Sequence, residues 1–151
     1  MNRVTASDVA KYLIASFQKR KKEISNLKLQ KLLYYAQAWY LVFYDVPLFD
    51  DSIEAWVHGP VVRSVFQEYR KFGWKPVQTK DAGSITAKEI TDHLNEVIRA
   101  YGDFDAFALE QRTHREAPWR DARGNLEPDE PSHRVITHEA MKRFYGAQLQ
   151  S

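Results

Sequence analysis

Apolar residues recur along this chain at the three- and four-residue spacing of helices that bury one face. Val9, Leu13 and Phe17 make the first stripe, with Thr5 or Ser7 placed to cap it. Lys19-Arg20-Lys21-Lys22 closes it, where cations complement the helix dipole. Ser25 or Asn26 caps a second helix, whose apolar positions Leu29, Leu32, Leu33, Ala36, Trp39, Tyr40 and Phe43 lie close to a one-face pattern. This is the expected central helix, with Leu32, Leu33, Trp39 and Phe43 in the core. Asp45-Val46-Pro47 is a turn, and the aromatic, β-branched stretch 48–57 suits one or two short strands. Gly59-Pro60 then predicts a third helix with Pro60 at its first position, presenting Val61, Val65, Phe66, Tyr69 and Phe72 and stopping at Gly73.

Residues 74–84 read as a polar connection. Thr86-Ala87-Lys88-Glu89 has the form of a capping box, leading a helix that carries Ile90, Leu94, Val97, Ile98 and Tyr101 and ends at Gly102. A shorter helix is expected at 105–113. Pro118, Gly124, Pro128 and Pro131 make 116–132 an irregular segment. Thr137 caps a last helix at 138–148, with Ala140, Met141, Phe144 and Tyr145 turned inward. The expected fold is mainly α: a compact bundle of five or six helices, with a small β element between the second and third, in one domain spanning 1–151.

Composition fits that picture. A chain of 151 residues can bury about 70% of the surface of its unfolded form, so it needs no covalent staple. It contains no cysteine, which excludes disulfides, thiolate zinc ligands and a cysteine nucleophile, and suits the cytoplasm. No apolar run approaches the roughly 20 residues of a membrane span, and no secretory leader is visible. Charge is uneven: residues 1–40 hold eight Lys/Arg against two Asp/Glu, while the rest holds fourteen against eighteen. A basic beginning on a mildly acidic body admits an acidic partner or nucleic acid, and equally a solvated helix surface.

Catalytic signatures are missing. No phosphate-binding loop, dinucleotide fingerprint, HExxH or calcium loop occurs, and no two histidines fall at i, i+3 or i, i+4. His114 lies four residues after Glu110, a spacing that an acid–base pair could use but that we read as a hydrogen-bonded structural histidine. We therefore expect no enzyme, no cofactor and no metal, and a protein that works by binding. Nucleic acid is the second class. Lys19, Arg20, Lys21, Lys22, Lys28 and Lys31 near Tyr34 and Tyr35 could meet phosphates, and the first two helices have the outline of a helix-turn-helix. The second helix is too core-like after Leu29 to offer many side chains to base edges.

Three segments, taken in order, resemble a known family. They are Ser25-Asn26-Leu27-Lys28-Leu29-Gln30-Lys31-Leu32-Leu33-Tyr34-Tyr35-Ala36-Gln37-Ala38-Trp39-Tyr40, then Ala55-Trp56-Val57-His58-Gly59-Pro60-Val61-Val62, then Leu109-Glu110-Gln111-Arg112-Thr113-His114-Arg115-Glu116-Ala117-Pro118-Trp119. Together they look like the Panacea domain of SocA-type antitoxins and phage-associated GepA-like proteins, over about residues 9–144. Val57 stands where the family often has a basic or polar residue, and Ser25 where threonine is common. The resemblance implies an antitoxin that neutralises a cognate toxin protein by direct binding. It also implies, for some members, delivery of the toxin to a ClpXP-type protease, for which the tail 147–151 is short. A phage or prophage host-interaction protein and a DNA-binding regulator are the alternatives.

The candidate partner-binding residues are Trp56, His58, Gly59, Pro60, Arg63, Tyr69, His114, Pro118 and Trp119. Tryptophan and tyrosine anchors dominate interface hot spots, and a strand-to-helix junction offers free N–H groups. The same residues equally suit a scaffold role, since a family signature often marks what the fold needs.

Overall fold

The computed structural model describes residues 4–149. The first three residues, read above for a leader, and the last two of the tail lie outside the described residues. Helix α1 (Ala6–Lys19) starts at Thr5, whose hydroxyl accepts from Asp8 N while Asp8 accepts from Thr5 N, a reciprocal cap. It ends with Lys21 in the left-handed region (φ 57°), so that Lys21 N and Lys22 N reach back to Gln18 O and Phe17 O.

Helix α2 (Asn26–Tyr44), capped by Ser25, is the axis of the molecule. The sequence led us to expect burial of one face. Instead Gln30, Lys31, Tyr34, Tyr35, Gln37 and Ala38 are buried along with Leu29, Leu32 and Leu33, because α2 is wrapped by other elements. Each such leucine contributes roughly 2 kcal/mol through removal from water. The wrapping stops near the helix end: Phe43 is 57% exposed and Trp39 half-buried, beside a groove that Val97, Tyr101 and Leu149 also line.

Strands β1 (Glu54–Trp56) and β2 (Gly59–Val61) form an antiparallel hairpin, pairing Glu54 with Val61 and Trp56 with Gly59 across the turn Val57-His58. This corrects the expected helix start at Gly59-Pro60. Gly59 adopts φ +107°, a hairpin conformation, and Pro60 sits in the strand facing Ala55. Helix α3 (Arg63–Glu68) begins only after Val62 and passes through a 3-10 turn at 70–72 to Gly73. On its other edge β1 meets Val135, through Ala55 N–Arg134 O and Ile136 N–Ile53 O bonds of 2.8 Å.

Helix α4 (Lys88–Tyr101) starts one residue later than a Thr86 cap requires. Ala87 holds the cap position and offers no side-chain acceptor, so the expected capping box is not formed. Helix α5 (Ala106–Arg115) is capped by Asp105. Helix α6 (Ala117–Arg123) occupies the segment expected to be irregular, with Pro118 in its first turn and Gly124 (φ +61°) just past its end. Helix α7 (His138–Gln148), capped by Thr137, lays Met141 and Tyr145 against the core. Among the described residues there are thus seven α-helices and one two-stranded sheet: the mainly helical architecture and the β element between α2 and α3 are as expected. No described helix is long and apolar enough to cross a membrane.

Candidate functional site: a hairpin seated on a buried polar belt

The hairpin is held from below by side chains that take its backbone carbonyls. Lys31 Nζ donates to Pro60 O at 3.0 Å, Trp119 Nε1 to Trp56 O at 2.8 Å, and Arg123 Nη1 to Ala55 O at 3.1 Å. His114 stacks on Trp119 with ring centres 3.9 Å apart. At the end of the hairpin, Gln30 Oε1 accepts from Val62 N at 2.9 Å. The donors come from α2 and α6, and α5 supplies the ring stacked on Trp119. The three signature segments are therefore the parts of one seat.

Apart from His114 Nε2, the buried polar groups of the seat are answered. Burial pushes the Lys31 ammonium down to about 7, opposed by the nearby Glu110 carboxylate. Gly59 must be glycine here: a Cβ would lie 2.7 Å from Lys31 Cε, on backbone that L side chains rarely adopt. Arg123, 2% exposed, turns its guanidinium over the Trp119 ring at 5.0 Å and donates from Nη2 to the carbonyls of Glu127 and Glu130 at 2.8 and 2.6 Å. Glu116 Oε1 accepts from Tyr35 (2.7 Å) and Tyr145 (2.9 Å), and Tyr145 also bonds Tyr34. Burial raises the Glu116 carboxyl above its ordinary value, and the two phenol bonds work against the rise. Gln37 closes the belt on Leu48 N and Phe49 O at 2.7 and 2.8 Å.

The outer rim of the hairpin is different. Glu54 Oε1 receives Trp56 Nε1 at 2.8 Å and Arg63 Nη2 at 3.0 Å, with His133 Nδ1 3.2 Å away. Burial would raise this carboxyl, but the bonds from Trp56, His133 and Arg63 together outweigh it and hold it below the usual range. The Trp56 ring meets Phe66 and His133 edge-on. His58, at the tip, is exposed and within 3.3 Å of the Glu110 carboxylate.

Most of the candidate residues converge here, in two layers. Trp56, His58 and Arg63 are at the rim; Gly59, Pro60, His114 and Trp119 are in the seat, with Gly59, Pro60 and Trp119 buried. Pro118 is buried at the start of α6, beside a groove of about 400 Å³ that Arg143 and Phe144 line on α7. Tyr69 is buried against Phe72 and takes no part in the hairpin contacts. His114 is structural in its contacts: its Nε2 is buried without a hydrogen-bond partner, and Glu110 pairs with His58 instead. Among the described residues no cluster of three His, Asp or Glu has the form of a metal site.

The basic residues do not share a face. Lys31 is buried, and Lys28 reaches inward to Gly102 O at 2.6 Å across the Phe17 ring. Lys19, Arg20, Lys21 and Lys22 alone are exposed. Sequence reasoning missed Gln30, Glu54, Arg123 and His133. Gln30 and Lys31 could have been suspected, because they interrupt an apolar helix on positions that only an all-round burial explains.

Residues 29–120, more than half the chain, match the family described as Antitoxin SocA-like, Panacea domain. Among curated proteins and among solved structures, none matches significantly. The matched span runs from α2 to α6 and contains Lys31, the whole hairpin, His114 and Trp119, that is, most of the seat together with its hairpin. The chain belongs to the SocA-like, Panacea-domain antitoxin family.

Proposed function

We propose that this protein is an antitoxin that neutralises a cognate toxin by binding it at the rim of the hairpin, and that it does so without catalysis. One observation carries the reading: the hairpin backbone is fixed by three side-chain bonds to its carbonyls, while Trp56, His58, Arg63 and His133 stay accessible on its outer edge. A loop fixed in advance loses little entropy on binding, and a rim of tryptophan, arginine and histidine has hot-spot composition. Family membership supports the same reading. Delivery of the bound toxin to a ClpXP-type protease is a further step that the antitoxin reading accommodates. A helix-turn-helix mode of DNA binding loses support, because α2 is enclosed and has no free face to enter a groove.

The test is co-expression with the protein encoded beside its gene. Growth rescue together with co-elution of the pair on a sizing column is the expected result. A toxic neighbour that is neither bound nor neutralised would overturn the proposal.

A further inference from the structure

Away from the hairpin, one end of the molecule combines exposed cations with a fully presented aromatic ring. Trp74 is 92% exposed, the most exposed large apolar side chain among the described residues. Its position is built rather than frayed. Lys75 N bonds Phe72 O at 3.0 Å, closing a tight turn, and Gly73 at its first central position has φ 58° and ψ −124°. That is a type II′ geometry, which only glycine takes easily, and it leaves Trp74 at the tip. A tryptophan buries 150–250 Å² when it packs, by general experience, so a ring held in water at a turn gives up a sizeable hydrophobic gain.

The same turn is flanked by Arg70, Lys71 and Lys75, all exposed. It is joined to the α1–α2 turn by Val77 N–Ile24 O at 2.9 Å and by Gln18, which both donates to Thr79 O (3.2 Å) and accepts from Thr79 N (2.8 Å). The fold thus ties the chain that follows Arg70, Lys71 and Lys75 to the turn that carries Lys19, Arg20, Lys21 and Lys22, two basic segments far apart in sequence. Lys22 has Asp103 at 3.4 Å, and Asp81 at the edge is turned to Lys11 at 3.9 Å. No other carboxylate of a described residue stands within ion-pair distance of these seven cations.

We infer that this corner binds single-stranded nucleic acid, with the flanking cations on phosphates and an unpaired base stacked on Trp74. A ring projecting between cations matches how sequence-tolerant single-strand sites are made. A duplex hides its base faces and would leave the ring unused. A segment of aspartates and glutamates could use the cations but has no aromatic face to stack on the indole. The inference does not depend on the antitoxin reading, since the corner and the hairpin rim share no residue.

The test uses the full chain and a fluorescein-labelled oligothymidylate of about 12 nucleotides, read by anisotropy. Saturable binding is expected, with a log–log salt slope of about −2 to −4 if three to five phosphates are contacted. Trp74→Ala should weaken binding about tenfold or more and Trp74→Phe by less, with unchanged thermal stability because the ring packs on nothing. Lys71→Glu with Lys75→Glu should weaken binding and flatten the salt slope. No saturable binding at 50 mM salt would overturn the inference. So would equal affinity of Trp74→Ala, or displacement by polyglutamate at matched charge as effective as by unlabelled oligonucleotide, which would make the corner an acidic-protein surface.

Discussion

The two sides of the hairpin obey opposite rules. On its inner side every contact is a buried hydrogen bond between an uncommon polar side chain and the backbone: Lys31 on Pro60, Arg123 on Ala55, Trp119 on Trp56. On its outer side Glu54, Arg63 and His133 form a half-exposed ionic cluster that water can enter and rearrange. Buried polar groups cost little when satisfied and much when one partner is lost, whereas exposed pairs are worth little either way. The inner residues thus position the hairpin, and on the proposed reading the outer ones are left to meet a partner.

That division can be broken at the seat first. Arg123→Ala removes a guanidinium that serves several carbonyls and opens a cavity under Trp119. It should cost about 3–5 kcal/mol, read as a large drop in the urea midpoint. Gly59→Ala should follow at about 2–3 kcal/mol, because the left-handed backbone and the collision with Lys31 add up. If either variant unfolds at the same midpoint as the parent, the seat does not hold the fold together.

Lys31 gives the seat a pH signature. Its folded value lies near 7 and its unfolded value near 10.5, so between them the unfolded chain carries the extra proton. Stability should therefore rise as pH climbs from about 7 toward 10, and the Lys31 contribution should be flat below 7. Lys31→Met should remove that rise, which urea titrations at pH 7 and pH 9 would show.

At the rim the effects on stability should be smallest. His58→Ala and His133→Ala should each change stability by less than about 1 kcal/mol, since both are exposed partners of carboxylates. Their effect belongs in the affinity for the toxin, expected to fall about tenfold or more when both are replaced. A stability loss matching that of the seat variants would erase the distinction between the two layers.

Helices were legible wherever one apolar stripe met one cap, as in α1 and α7, and in α4 from the stripe alone. The hairpin was not. Its two-residue turn is Val57-His58, without the Asn-Gly or Asp-Gly signal that normally marks such turns, and Gly-Pro reads equally as a helix start. Helix α6 was hidden by counting Pro118 and Gly124 as breakers, although proline in a first turn and glycine past the last residue are how helices often begin and end. Of the site, periodicity found the aromatic residues but not their partners. Glu54, Arg123 and His133 come from separate stretches of chain and share no local spacing. Trp74 sat in a segment read only as polar connection, and the bonds of Val77 and Thr79 that tie this segment to Ile24 and Gln18 depend on the tertiary fold.

The most direct measurement is hydrogen–deuterium exchange on the protein alone and in complex with the proposed toxin. Binding at the rim predicts new protection at residues 54–63 and 132–136, with the α2 amides equally protected in both states. Unchanged exchange across the hairpin, with protection confined to another surface, would contradict the assignment of the rim as the toxin-binding site.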